Sequence, residues 1–440
     1  MPKLFGTDGV RGQVNQDLTF ETAYKLGKAL AKQKENSTIL IGKDTRLSGD
    51  LFLNAFACGA INAGASIINL EVAPTPAISF LTQKLNCDFG VAITASHNPA
   101  EFNGIKFFNH NGHKLTLAEE QKIEQIFFEK QKKDHGKLGT IKHQRQHLAL
   151  YKKFLVNSLH TNLNGLTIIL DLANGACHKI APEVFRKLQA NVITTNSKPN
   201  GLNINDNCGS THIQNIQKNI KKHNGDIGFA FDGDGDRVIA VLKNGEVLDG
   251  DKILLILAKN LHKTKKLKPP KVACTHLTNT GILNELKRQK IEPILCYIGD
   301  KFIIETLKTH KILLGAEQSG HVVFSSSHLT GDGILTALKL AEIFKKNNKK
   351  FDELLGLELY FQCNKNIAVN NNKKIINNKN LIKKIKELKT QNSRIFVRAS
   401  GTEPVIRIMV ECKNELLAKT TANEIETLVK KIDKDMLCAD

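Results

Sequence analysis

Ile227-Gly228-Phe229-Ala230-Phe231-Asp232-Gly233-Asp234-Gly235-Asp236-Arg237 runs from an unbroken apolar segment straight into three acids at alternate positions. Five apolar residues bounded by a polar turn fit a buried strand, and in parallel α/β sheets ligands bind at the carboxyl ends of the strands. Around this stretch lie a strand at Leu166 to Asp171, a helix at Ala181 to Gln189 and a strand at Arg237 to Leu242, the rhythm of a βαβ unit. The same rhythm precedes it, with strands at Thr38 to Ile41, Ser66 to Leu70 and Phe89 to Thr94 and helices around Phe20 to Gln33 and Leu51 to Ala63. It follows it too, with strands at Val272 to Thr275 and Ile294 to Tyr297 and helices at Gly281 to Gln289, Phe302 to Thr309 and Gly331 to Lys345. From about Cys363 the pattern changes to helix, strand Arg394 to Arg398, strand Val405 to Glu411 and helix Leu416 to Lys430. The expected fold is α/β: three similar mixed-sheet α/β domains, 1–152, 153–250 and 251–362, plus a smaller C-terminal α+β domain, 363–440, around a central cleft. A chain of 440 residues has room for all four.

Composition narrows the function classes. Apolar residues at 41% and charged residues at 24% are ordinary for a globular protein. The longest strictly apolar run, Ile253 to Ala258, is far short of the roughly 20 residues that cross a bilayer, and the opening residues show no signal-peptide pattern. Nine scattered cysteines without a C-x-x-C pair indicate neither a zinc site nor a disulfide framework, so the expected setting is cytoplasmic, with no membrane partner. The net charge of +20 raises nucleic acid as a partner. However, only nine of the 63 basic residues are Arg, the lysines crowd into Asn- and Ile-rich segments, and there is no Trp and only four Tyr to stack on bases. No nucleic-acid partner is expected.

The three acids of the opening stretch repel one another unless a cation sits among them, and the intervening glycines let a tight loop turn all three inward. An EF-hand calcium loop is excluded, because counting from Asp232 its sixth and twelfth positions hold Arg237 and Lys243. Mg²⁺ is the expected ion, and because it completes its shell with phosphate oxygens or water, a phosphate partner is expected beside it. Thr94-Ala95-Ser96-His97-Asn98-Pro99 supplies a candidate nucleophile, Ser96, with His97 either orienting the loop or serving as a base. Asn103-Gly104-Ile105-Lys106 and Gly6-Thr7-Asp8-Gly9-Val10-Arg11-Gly12 add Lys106 and Arg11, cations suited to proton transfer and charge neutralisation at a phosphoryl group. Neither a Walker A loop nor a dinucleotide fingerprint is present. Arg398-Ala399-Ser400-Gly401-Thr402-Glu403-Pro404, with Arg407 beyond it, has the hydroxyls, turn amides and arginines of an anion cradle. Five arginines, 11, 46, 237, 398 and 407, fall in or beside these loops, which fits Arg kept for phosphate chemistry. Gly315-Ala316-Glu317-Gln318-Ser319-Gly320-His321 offers acceptors and donors suited to sugar hydroxyls.

Taken together and in this order, the motifs F-G-T-D-G-V-R-G, T-A-S-H-N-P running into N-G-I-K-F-F, D-G-D-G-D-R, G-A-E-Q-S-G-H and R-A-S-G-T-E-P make the chain resemble the α-D-phosphohexomutase superfamily over essentially its full length. Within it, the resemblance is closest to the bacterial phosphoglucosamine mutases. The resemblance implies a phosphoserine at Ser96, and Mg²⁺ held by that phosphate with Asp232, Asp234 and Asp236. It implies conversion of glucosamine 6-phosphate to glucosamine 1-phosphate through a hexosamine 1,6-bisphosphate, which also activates the enzyme, in support of UDP-N-acetylglucosamine synthesis. Arg398, Ser400, Gly401, Thr402 and Arg407 would hold the phosphate that is not reacting. Glu317 and Ser319 would grip the sugar, with Arg237 and His321 as further substrate contacts. Lys106, Arg11 and His97 are the catalytic candidates beside Ser96, and the molecule is expected to be a monomer or homodimer. Ile298-Gly299-Asp300-Lys301, with Lys where relatives often carry Arg, and Ala399 in place of the more usual Thr depart from the pattern. These departures bear on the choice of sugar, and a phosphomannomutase or phosphoglucomutase is the alternative reading. A sugar-phosphate phosphatase is a further alternative, and it would release inorganic phosphate in step with substrate.

Overall fold

In the computed structural model Ile227–Phe231 is a strand buried at every residue. It lies parallel to Thr167–Asp171 on one side and antiparallel to Val238–Leu242 on the other, near the middle of a five-stranded sheet completed by Asn191–Thr195 and Val247–Leu248. The structure describes residues 4–6, 8–129, 136–351, 354, 356–389, 393–400 and 404–437.

Two further sheets repeat the plan. A six-stranded sheet runs in the order Val10–Gln13, Phe102–Asn109, Phe89–Ile93, Thr38–Lys43, Ser66–Val72, Ile141–His143. A four-stranded sheet runs Glu292–Cys296, Lys271–Thr275, Leu314–Ala316, Val322–Phe324. In all three, a parallel strand turns back into an antiparallel neighbour: Phe89–Ile93 into Phe102–Asn109, Ile227–Phe231 into Val238–Leu242, and Leu314–Ala316 into Val322–Phe324. The serine, acidic and sugar-type loops are these three turns. They are hairpin connections and not crossovers to a parallel strand, which keeps each loop short and both its ends fixed by ladder hydrogen bonds. The fourth sheet, Phe361–Ala368, Val405–Cys412, Ser393–Ala399, is wholly antiparallel, and the two strands that flank the arginine loop are neighbours in it.

Several elements are additional to the sequence reading, among them the helix Thr75–Lys84, the buried helix Gly250–Lys263 and the edge strand Phe361–Ala368. None of the expected divisions falls in a free linker. The helix Leu148–Asn157 runs through 152, the helix Gly250–Lys263 begins at 250, and the strand Phe361–Ala368 runs through 362. Across the first two of these divisions apolar packing holds the chain together. One continuous core joins Leu40 and Leu70 of the first sheet, Ile168 and Phe229 of the second, and Val272 and Leu314 of the third. The fourth sheet has its own core, including Ile367, Val410 and Ile425.

The serine loop is laced from beneath by Arg46, whose guanidinium is fully buried. All five of its N–H groups are used. Nε donates to Asp44 Oδ2 at 2.9 Å, Nη1 to the carbonyls of Phe102 (2.9 Å) and Pro99, and Nη2 to those of Ser96 (3.0 Å) and Asn98 (2.7 Å). Arg46, grouped by its position with the phosphate-handling arginines, therefore supports backbone instead. Asn205 Nδ2, from the second unit, reaches the same Ser96 and Asn98 carbonyls at 2.9 Å. Truncating one partner of a buried ion pair leaves the other charged and dry, so Arg46→Leu should lower the unfolding free energy by about 3–5 kcal/mol. Urea titration checks this, and a midpoint equal to wild type would remove Arg46 from this role.

Candidate functional site

Ser96 sits at the end of its strand with φ of 53°, in the left-handed region that a residue with a side chain adopts only when its surroundings hold it there. Its amide donates to Thr94 Oγ1 at 2.9 Å, and Thr94 Oγ1 donates in turn to Asp44 Oδ2 at 2.6 Å. This geometry delivers the hydroxyl into the acidic loop, where Ser96 Oγ donates to Asp232 Oδ2 at 2.7 Å. The loop fits there because Gly233 has no Cβ, which would lie 2.6 Å from the Ser96 carbonyl oxygen. Asp232, Asp234 and Asp236 are buried, and one oxygen from each lies within 4.8 Å of the others. Burial, and then repulsion from Asp236 and Asp234, pushes the Asp232 carboxyl well up. The Oδ1 atoms of Asp234 and Asp236 are buried without a hydrogen-bond partner. Three converging carboxylates with orphaned oxygens and no nitrogen or sulfur donor among them fit a hard divalent cation. Among the described residues this is the one such cluster.

Positive charge comes to the cluster from the first sheet. Lys106 Nζ reaches Asp234 Oδ2 at 2.8 Å, Asp8 Oδ2 at 2.9 Å and Asp236 Oδ2 at 3.3 Å. Burial alone would lower its pKa, but Asp234, Asp8 and Asp236 together hold it well above the ordinary lysine value. Thr75 Oγ1 adds a 2.6 Å hydrogen bond to Asp234 Oδ2. Arg11 reaches Asp8 at 3.1 Å, and Lys114 bridges Asp8 to Asp300 of the third unit. His97 lies 3.5 Å from Ser96 Oγ, but its Nδ1 accepts from Arg237 Nη1 at 3.1 Å, which leaves the ring proton on Nε2. Burial, followed by the charges of Arg237 and Arg11, lowers its pKa to about 3, so the ring is neutral near pH 7.

Glu317, Ser319 and Arg237 share the wall of a cavity of about 340 Å³ with Gln318, Leu277 and Thr211. Glu317 is fixed by the Gly299 amide, which donates to Oε1 at 2.9 Å. His321 stands apart from this wall. It is 1% exposed, its Nε2 accepts from the Gly331 amide at 3.1 Å, and its Nδ1 lies 3.7 Å from Asp236 Oδ2, so it faces the carboxylate cluster. On the fourth sheet Arg398 pairs directly across from Arg407. Burial and then the Arg407 charge lower the Arg398 pKa, while Glu317 acts on it from the third unit. Two arginines side by side on a ladder are mutually repulsive unless an anion lies between them. Ser400 is buried next to them, and Gly401 and Thr402 lie outside the described residues.

Sequence reasoning named the loops but missed much of what holds them: Arg46 as a support, Asn205, Thr75, Lys114 and Asp300. Asp8 and Asp300 stood inside quoted motifs, where alternation of acid and base was the available signal. Thr75 and Asn205 act across a boundary between units and leave no local signature.

Family models for phosphoglucomutase/phosphomannomutase match the chain throughout: alpha/beta/alpha domain I over residues 2–134, domain II over 147–245, domain III over 249–360 and the C-terminal domain over 358–428. The phosphoglucosamine mutase of Alkaliphilus oremlandii is 42% identical over 445 residues, covering 98% of this chain and 99% of its own. That of Clostridioides difficile is 40% identical over 449 residues with the same coverage. Among solved structures, a phosphoglucomutase/phosphomannomutase family protein from Burkholderia thailandensis superposes with a TM-score of 0.82 at 21% identity, covering 98% of each chain. The N-acetylphosphoglucosamine mutase of Aspergillus fumigatus, solved with GlcNAc-6P and magnesium, gives a TM-score of 0.67 at 17% identity, covering 98% of this chain and 96% of its own, a likeness of fold. The matched stretches contain the serine loop, the acidic loop, the sugar-type loop and the paired arginines, and the chain belongs to the phosphoglucomutase/phosphomannomutase family of intramolecular phosphotransferases and, within it, to the phosphoglucosamine mutases.

Proposed function

We propose that the site interconverts glucosamine 6-phosphate and glucosamine 1-phosphate through a phosphoserine at Ser96. The observation that carries this reading is the Ser96 hydroxyl seated against Asp232 inside the carboxylate cluster, at 2.7 Å. In the first half-reaction the phosphorus–Oγ bond of phospho-Ser96 breaks, a bond from phosphorus to the sugar O1 forms, O1 gives up its proton and Oγ takes one, leaving the 1,6-bisphosphate and a free Ser96 hydroxyl. In the second, with the bisphosphate turned over, Ser96 Oγ gives up its proton as it attacks the 6-phosphate, the phosphorus–O6 bond breaks, and O6 takes a proton. Lys106 is the group we assign to that proton, because its Nζ is buried and held charged by Asp234, Asp8 and Asp236. In each half-reaction Nζ passes a proton to the departing oxygen and regains one from the attacking hydroxyl, so the ammonium is restored. His97, neutral and occupied by Arg237, orients the loop. Arg11 neutralises phosphoryl charge from beside Asp8, and Arg237 serves both His97 and the sugar cavity. Ser319 and Glu317 hold the sugar ring's polar groups, while Arg398 and Arg407, with Ser400 and the Gly401 and Thr402 of the same loop, clamp the idle phosphate. His321 is assigned to positioning Asp236.

Asp232, Asp234 and Asp236 would hold Mg²⁺, which supplies positive charge to phosphoryl oxygens when bound. The Aspergillus relative was solved with magnesium and a sugar phosphate, which supports both choices. Net positive charge on the chain suits a phosphorylated small molecule, and among the described residues no helix is long and apolar enough to cross a membrane.

Asp234→Ala should weaken Mg²⁺ binding at least ~10-fold by calorimetry and cut turnover at limiting Mg²⁺. Normal turnover under those conditions would remove the metal assignment. Incubating the wild type with Mg²⁺ and glucosamine 1,6-bisphosphate should place one phosphate on Ser96 by peptide mass spectrometry, with glucosamine 1-phosphate formed from the 6-phosphate. Product without phosphate on Ser96, or product from Ser96→Ala at the wild-type rate, would exclude the phosphoserine route, and equimolar release of inorganic phosphate would mark a phosphatase instead.

A further inference from the structure

Hydrogen-bond direction can be traced from a buried carboxylate on the fourth sheet into the sugar cavity. Glu411, on Val405–Cys412, is 1% exposed and as a carboxylate can only accept. It receives the Thr280 amide at 3.1 Å, the Thr280 hydroxyl, Arg394 Nη2 at 3.0 Å and Gln362 Nε2 at 2.6 Å. Gln362 Nε2 also donates to the Leu277 carbonyl at 2.9 Å. With its NH₂ group turned to those two acceptors, Gln362 can offer only its oxygen in the other direction. There Gln318 Nε2 donates to Gln362 Oε1 at 2.9 Å.

This settles which way the Gln318 amide faces. Reversing it would set its oxygen against the oxygen of Gln362, and Gln362 cannot reverse without setting its own oxygen against Glu411. Gln318 lines the cavity next to Glu317, and among the described residues no donor reaches its Oε1. Two neighbouring side chains of one loop therefore present acceptor oxygens, one of them on a carboxylate. A sugar hydroxyl has one proton and can answer only one of the two acceptors, whereas an ammonium group has three protons, can answer both and carries the complementary charge.

We infer that Gln318 Oε1 and Glu317 bind the amino group of the sugar, and that Gln362 and Glu411 are positioning residues that set the direction of the Gln318 amide. The inference rests on the sugar-phosphate reading above and adds to it a physical basis for choosing an amine over a hydroxyl at one ring position. It gives the fourth sheet a part in sugar choice separate from its arginine loop.

The test compares kcat/KM for glucosamine 6-phosphate and glucose 6-phosphate in the full chain, activated in each case with the matching 1,6-bisphosphate. The wild type should prefer the amino sugar. Gln362→Leu frees the Gln318 amide to turn and should reduce the preference by ~10-fold, the loss falling on the amino sugar, because an acceptor held in one direction discriminates more sharply than an amide that can turn to suit either group. Gln318→Leu should reduce it similarly, and Gln318→Glu, which keeps an acceptor, should retain or raise it. The Gln318 pair decides the matter if Gln362→Leu does not fold. A wild type that turns over neither sugar phosphate overturns the function itself. Turnover without preference for the amino sugar, or a preference unchanged in Gln362→Leu and Gln318→Leu, overturns this inference alone.

Discussion

Three carboxylates buried within a few ångströms of one another set the terms for the rest of the molecule. Taken out of water without compensation, such a cluster would either protonate or keep the loop from closing. The second sheet, which carries the loop, lacks the means to satisfy it alone. Lys106 arrives from the first sheet, Thr75 from the helix beside it, and His321 from the third. Lys114 then ties Asp8 of the first sheet to Asp300 of the third. Acids and bases alternate along this path through three units, so each unit completes the charge balance of another. The continuous apolar core beneath them is the counterpart of that arrangement, since units that must share charge at one end are best packed without slack along their length.

Hairpin loops make such sharing reproducible. A turn between two hydrogen-bonded strands has few residues to order, and its carbonyls must find donors once buried. In the serine loop those donors are Arg46 and Asn205, which between them make four hydrogen bonds to the carbonyls of Ser96 and Asn98. The left-handed backbone at Ser96 is held by these contacts, and the direction of its hydroxyl follows.

Much of this was legible in the sequence, for a physical reason. Residues that act together at the cleft are clustered along the chain, because each loop is one short turn, and the strand before each loop is an apolar run such as Ile227–Phe231. Elements whose pattern was masked were harder to see. The strand Phe361–Ala368 has Lys365 between Cys363 and Ile367, where an apolar residue would complete the alternation, and its ammonium reaches Glu426 on the last helix. The helix Thr75–Lys84 is buried on most of its surface and so shows little amphipathic contrast. Arg46 was grouped with the phosphate-handling arginines because sequence position shows proximity to a loop but not which side of it a side chain approaches.

The fourth sheet stands in a different relation to the others. Its apolar core is closed on itself, and it meets the third unit largely through polar contacts, the ring of Thr280, Gln362 and Arg394 around Glu411 and the bond from Asn279 to the Tyr360 carbonyl, along with the stacking of Phe396 on His276. Surfaces joined in this way separate by exchanging protein hydrogen bonds for hydrogen bonds to water, with little apolar area exposed. Separating the fourth sheet from the third unit would thus depend weakly on temperature through the heat capacity of hydration, in contrast to any parting of the first three sheets, which would open a shared core and carry the large heat-capacity change of apolar exposure.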